Sequence, residues 1–361
     1  MIDPFHLDAT CDLTSILITL RAMVLYDERH KTPLTDYGLL VPIPPDRVGP
    51  ILDVLYNDPV LGPRRSDWLT GPDGRTISRQ DLLLVNTDRY VSQLYDGDVE
   101  AAVLAAFELV DAEGNFHRYD PAIASAPLRG LFDRALTMVE GTWQAGREAL
   151  KNGFCFHCGG GAHHGHPDFG HGFCILNDAA IAVRKLQADG CVRTALIIDI
   201  DVHKGDGTAA IFERDETVTT VSIHMAHGWP LDIPERDDSG NRHPSHTPSD
   251  IDVPIAEGEE ADYLPRLRSA FEALSAAASL SGPPDIAYVL AGADPYEKDG
   301  LESSQLMNLT LEQMNERNLM TYSFLSRLGI PQAWLMAGGY GEHAWETYPD
   351  ILMQVLSERL S

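Results

Sequence analysis

The chain has 361 residues, 44% hydrophobic and 22% charged, an ordinary globular composition. Against 54 Asp and Glu stand 27 Lys and Arg, a formal net charge of -27, which would repel a phosphate backbone and argues against nucleic-acid binding. The five cysteines are too few and too scattered for a disulfide framework, and no apolar run approaches the roughly 20 residues that span a bilayer.

The opening Met1-Ile2-Asp3-Pro4-Phe5 has no basic n-region or apolar h-region, so the expected location is the cytoplasm, away from membranes. No composition break or repeat divides the chain, and it is read as a single domain over 1–361. Through residue 77 it consists of loops and short elements, broken by Pro44-Pro45, Gly62-Pro63 and Gly71-Pro72. Beyond that, short apolar runs alternate with longer amphipathic ones. The pattern predicts helices at 99–110, 131–150, 178–188, 263–279, 311–328 and 351–360. It predicts strands at 194–200, 218–224, 286–291 and 333–337, and a buried strand around Phe154–Cys158, with Cys155 and Cys158 as core thiols. Asn177 or Asp178 caps the helix at 178–188 and Gly190 ends it. The polar stretch 232–254 reads as a long surface loop. Alternating strands and helices imply an α/β fold with a mostly parallel sheet covered on both faces, whose binding site lies at the carboxyl ends of the strands.

Four clusters carry chemistry. An apolar strand runs into Asp199-Ile-Asp201-Val-His203, placing two acids and an imidazole at every second position and so on one face. A single strand-end Asp is commonly a helix cap; this set is better explained by a bound cation, because burying carboxylates without compensation is very costly. A second strand ends in Asp294. Asp201, His203 and Asp294 would leave a coordination position open, the pattern of a catalytic zinc. Gly159-Gly-Gly-Ala162-His163-His164 combines close backbone approach with two imidazoles, fit for general base and electrostatic partner or for metal ligation. His157, His166 and His171 lie in the same segment, which is also consistent with a surface histidine-rich tract. Gly338-Gly339-Tyr340 presents a phenol able to donate to an oxyanion.

Taken together, and in this order, His163-His164, Gly172-Phe173-Cys174 with Asn177-Asp178, Asp199-x-Asp201-x-His203-x-Gly205-Asp206-Gly207, Asp294 and Gly338-Gly339-Tyr340 resemble the zinc-dependent deacetylase superfamily of histone deacetylases, acetylpolyamine amidohydrolases and acetoin-utilisation proteins. The resemblance covers roughly Ser78 to Tyr340 and implies a three-layer arginase/deacetylase-like fold. It implies zinc on Asp201, His203 and Asp294, with iron(II) as the alternative. It implies a catalytic pair His163 and His164 backed by Asp199 and Asp206, with Tyr340 stabilising the oxyanion. Phe173 and Trp229 would wall an acyl-lysine tunnel, with Gly172 and Leu301 beside it and Asp88 gripping substrate at the rim. A potassium or sodium ion would use Asp199 and Ser222. The implied activity is hydrolysis of acyl-lysine in proteins or peptides, or alternatively of acylated amines such as acetylpolyamines. A non-catalytic binding protein would be expected to lack a ligand or the tyrosine, and an oligomer is left open. Lys204 stands where many relatives carry His or Gln, and strand alternation points it away from the metal. Asn86 replaces a histidine before the rim acid, and the run 302–310 departs from the family's pattern.

Overall fold

A computed structural model describes residues 23–31, 33–111 and 113–361. These form one eight-stranded sheet in the order β2-β1-β3-β8-β7-β4-β5-β6, in which every pairing is parallel. The strands are β1 (Val24–Leu25), β2 (Leu69–Thr70), β3 (Phe154–His157), β4 (Ala195–Asp199), β5 (Val218–Met225), β6 (Ile251–Ile255), β7 (Ile286–Leu290) and β8 (Gln332–Leu335). The inner strands β3, β4, β7 and β8 are buried along their whole length, and they read as continuous apolar runs because both faces are covered.

Side-chain alternation divides the sheet between two cores. Phe154, Phe156, Leu196, Ile198 and Val289 pack on one side with the helices Gly49–Asn57, Tyr263–Ser281, Leu311–Arg327 and Pro349–Leu360. Cys155, Ala195, Ile197, Tyr288 and Leu290 pack on the other with the helices Arg129–Asn152 and Asp178–Ala188. The architecture is therefore three-layered α/β with helices on both faces. Cys155 and Cys158 are buried free thiols.

Helix ends follow local chemistry. The Asn177 side chain caps the Asp178–Ala188 helix on the Ala180 amide, and Thr310 with Gln313 forms a reciprocal capping box at Leu311. Two expectations change. The segment 232–254 is not all loop: its last residues enter β6, the sheet-edge strand paired with β5, and its alternation is masked because Asp252 serves an ion pair with Lys204. The helix at 99–110 stops at Ala106, since Glu108 adopts a positive φ of 54° that breaks the helical path.

None of the helices is long and apolar enough to cross a membrane, among the described residues. Behind the carboxyl ends of the strands, fully buried Arg317 donates to the carbonyls of Ile200 (2.8 Å) and Gly292 (2.9 Å). The Tyr348 hydroxyl lies on the carbonyls of Ala291 (3.0 Å) and Met336 (2.6 Å). Both side chains satisfy backbone groups where the strands have ended and the ladder no longer can. Tyr348→Phe leaves those carbonyls unpaired and is expected to cost about 1–3 kcal/mol in denaturant unfolding; a change below ~0.5 kcal/mol would show that the hydroxyl is not needed there.

Candidate active site

The strand alternation of β4 continues past its hydrogen-bonded end. Ile198, Ile200 and Val202 fill one core, while Asp199, Asp201 and His203 point to the opposite side. Asp294, four residues beyond β7, approaches from the neighbouring strand. One ligand atom from each of Asp201, His203 and Asp294 lies within 4.8 Å of the others, and all three residues are buried. His203 Nδ1 is 3.4 Å from Asp201 Oδ1 and 3.3 Å from Asp294 Oδ2. Its other nitrogen is 3.2 Å from Ser303 Oγ, an orienting partner of the kind that fixes a ligand imidazole.

The donor set suits a divalent cation. Asp294 Oδ2 is buried with no hydrogen-bond partner. Burial and the Asp201 carboxylate together push Asp294 up to about 7 although His203 opposes them, as expected where two like charges are confined together. Space around the cluster is reserved by glycine: a Cβ on Gly292 or Gly338 would run into the carboxylate oxygens of both aspartates. The Gly338 amide donates to Asp201 (3.0 Å) and the Val202 amide to Asp294 (3.1 Å), which aims the carboxylates.

Beside the cluster stand two histidines whose rings are 3.9 Å apart. Each meets its own buried acid through Nδ1: His163 on Asp199 at 2.6 Å and His164 on Asp206 at 2.7 Å. The two environments differ. Burial opposes charge on His163, but Asp199 and Asp201 outweigh it and raise the group to about 10. Burial and the adjacent His163 instead hold His164 well below its usual value, despite Asp206. The two imidazoles are thus shifted in opposite directions by their surroundings. Asp206 also faces His166 (3.2 Å) and His171 (3.6 Å). His166 is buried and stacked on Phe169, so neither belongs to a surface tract.

Tyr340 follows β8 in a glycine turn. Its amide donates to Asp299 Oδ2 (2.7 Å), while Arg47 holds the carbonyls of Ala337 and Gly339 (3.0 and 2.8 Å). Loss of solvent and the nearby Asp294 and Asp201 hold the phenol well above its usual value, so it stays a donor. Gly172, Phe173 and Tyr340 line the same cavity of about 190 Å³ as both histidines and the three-residue cluster.

The remaining sequence candidates surround it. Trp229 stands edge-on to His164 (4.5 Å between rings) and His203 (5.5 Å). Gly172, at φ 54°, lies so close to Trp229 that a side chain there would collide with the indole. Leu301 is buried beside Asp299, which accepts from its amide. Asp88 is exposed in the first turn of the helix Asp88–Asp96, and Tyr90 of that helix donates to Ile175 O. Buried Asn86 donates to His166 O instead of approaching the cluster. Ser222 pairs in register with Asp199 across β4 and β5. Lys204 turns away to Asp252 at 2.7 Å.

Sequence reasoning missed four supporting residues. Asp299 was signalled only by its Asp-Gly turn and Ser303 by nothing local. Arg47 lies in the N-terminal stretch that carried no pattern. Glu108, raised by burial, lies beside Trp229 and the Gly172 backbone and 3.6 Å from His171.

This geometry has counterparts among known proteins. The model of the histone deacetylase domain matches residues 41–356. The chain belongs to that family. Acetylpolyamine amidohydrolase 1 of Pseudomonas aeruginosa is 30% identical over 230 residues, 59% of this chain and 62% of that protein. An uncharacterized protein of Picosynechococcus is 36% identical over 59% of this chain and 65% of its own length. This chain thus aligns with less than two thirds of either relative. The acetoin utilization protein AcuC of Bacillus subtilis is 28% identical, covering 76% of this chain and 67% of that one. The crystal structure of the HDA15 HD domain superposes with a TM-score of 0.63 at 21% identity, over 94% and 90% of the two chains, and supports the fold.

Gly338→Ala brings a methyl against both carboxylates, so the family member should keep its fold but hold divalent metal at least tenfold more weakly in chelator competition. Unchanged affinity would mean that the glycine does not shape the cluster.

Proposed function

We propose that this histone deacetylase family member is a zinc-dependent deacylase that hydrolyses the amide of acyl-lysine in proteins or peptides. The observation that carries the reading is one cavity in which a buried two-aspartate, one-histidine cluster meets two carboxylate-bonded histidines of opposite charge preference. Asp201, His203 and Asp294 would hold the ion; iron(II) suits the same ligands. When bound, such an ion polarises a carbonyl and lowers the pKa of a water from 15.7 toward about 7.

The chain's own groups do the rest. With Nδ1 held by Asp206, neutral His164 has Nε2 available to take the proton of the attacking water and return one to the leaving amine, worth roughly 10²–10⁴-fold in rate. His163, held cationic by Asp199, supplies positive charge to the developing oxyanion, to which the Tyr340 hydroxyl donates. Phe173 and Trp229 wall the path of an extended side chain, Gly172 leaves room for the indole, and Leu301 lies on the same side as Tyr340. Asp88, on an exposed helix start, would grip the substrate backbone at the rim. A potassium or sodium ion shared by Asp199 and Ser222 would brace the loop carrying Asp201. The acidic balance of the chain fits an enzyme acting on cationic substrates in the cytoplasm.

A second reading, hydrolysis of acylated polyamines, is favoured by Glu108, whose carboxylate lies against Trp229 and Gly172 and 3.6 Å from His171. An acid at the mouth would attract a second amine on a small substrate.

Acyl-lysine peptides and acetylated polyamines, assayed with and without chelator, test both readings. Chelator-sensitive cleavage of either substrate is expected, and a metal-loaded protein that cleaves neither is not an acyl-amide hydrolase. Tyr340→Phe should keep its metal and lose about 10²–10³ in kcat; near-normal turnover would remove the phenol from the chemistry. Glu108→Gln is expected to raise KM for acetylspermidine at least tenfold while leaving peptide KM within threefold. Equal effects on both substrates would refute selection by this acid.

A further inference from the structure

Residues 299–304 follow Asp294 in the chain and line none of the cavity, yet they touch two of its chemical groups. The buried Asp299 carboxylate is bonded at both oxygens. Its Oδ2 accepts from the Tyr340 amide at 2.7 Å, and its Oδ1 from the Leu301 amide at 2.9 Å and the Ser304 hydroxyl at 3.0 Å. The next residue completes the hold on Tyr340, because the Gly300 amide donates to the Tyr340 carbonyl at 2.9 Å. Both backbone polar groups of Tyr340 are therefore tied to this segment. A few residues on, Ser303 Oγ lies 3.2 Å from His203 Nε2.

We propose that residues 299–304 form a positioning clamp that registers the Tyr340 phenol against the metal ligand His203, with Asp299 and Ser303 as its working residues. The proposal rests on the reading of the cluster as a metal centre and of Tyr340 as the oxyanion donor. His203 turns Nδ1 toward Asp201 and Asp294, at 3.4 and 3.3 Å. A nitrogen that binds a metal carries no proton, so the ring proton belongs on Nε2, where Ser303 accepts it. That bond fixes the tautomer and the tilt of the ring. At the other end, a phenol serves an oxyanion only from a fixed position, since misplacement by about 1 Å can cost ~10²-fold in rate. Asp299 supplies that fixity through the Tyr340 backbone, without touching substrate. The two ends are linked because the turn carrying Ser303 is pinned to Asp299 on either side, by Leu301 and Ser304.

Zinc affinity in chelator competition reads the His203 end and needs no turnover. Ser303→Ala should bind zinc at least tenfold more weakly. Ser303→Thr, which keeps the hydroxyl, should stay within threefold of the wild type. Acyl-peptide turnover at saturating zinc reads the Tyr340 end. Asp299→Asn must set an amide NH2 against the Tyr340 amide or against Leu301 and Ser304, because donors occupy both oxygens. It should lose at least tenfold in kcat with KM within threefold. Added to Tyr340→Phe, it should cost less than twofold more, because both changes act through one phenol. Its zinc affinity should also fall at least threefold, but not in the Ser303→Ala background. Unchanged zinc affinity in Ser303→Ala, or an Asp299→Asn loss that multiplies with that of Tyr340→Phe, overturns the clamp, since damage to the fold at large would be additive. A wild type that holds zinc but cleaves no acyl amide refutes the hydrolase reading alone. The zinc measurements then decide the clamp: non-additive losses in Asp299→Asn and Ser303→Ala support it, and additive losses overturn it.

Discussion

Two carboxylates, Asp201 and Asp294, are buried against one imidazole with no hydrogen bond to spare on Asp294 Oδ2. Left alone, that arrangement is strongly unfavourable, because removing charge from water costs several kcal/mol per ion even after relaxation. The surrounding structure works to make it tolerable. Backbone amides of Val202, His203 and Gly338 point at the carboxylate oxygens, and the guanidinium of Arg317 sits behind, on the carbonyls of residues adjoining or near the two acids. What remains unsatisfied lines the cavity, where a divalent cation would complete it.

The same electrostatic logic separates the two histidines. They share a ring contact and an identical Nδ1–carboxylate bond, yet His163 also faces Asp201 at 3.6 Å, whereas His164 faces only Asp206 and the positive charge of its neighbour. Two adjacent imidazoles are therefore shifted in opposite directions, set by which acids lie nearby and not by the imidazoles themselves. Asp206 is in turn surrounded by His164, His166 and His171, so its orientation is over-determined and the His164 ring it holds is fixed.

The walls of the cavity come from a different part of the fold than the cluster itself. The groups of the candidate site sit at the ends of central strands, while the rest of its cavity is lined by loops and by Arg134 and Met138 of the helix Arg129–Asn152.

The sequence by itself determined the central strands, the main helices and the clustering of Asp199, Asp201 and His203, because a two-residue period places these groups on one face whatever surrounds them. It also brought Asp294 and Tyr340 to strand ends, where a parallel sheet puts its site. Tertiary structure alone decided the rest. The three-residue cluster joins side chains that follow β4 and β7, Ser303 reaches its His203, and Asp299 and Arg47 hold the neighbouring Tyr340 turn, all three from segments with no periodic signal. Arg47 bonds Gly339 across 292 positions of sequence. β1 and β2 are only two residues long, too short to show alternation, and β6 hid within a polar stretch. Glu108 was read as part of a helix because nothing in its neighbours announces a left-handed residue; its place under Trp229 follows from packing between distant elements, which local pattern does not encode.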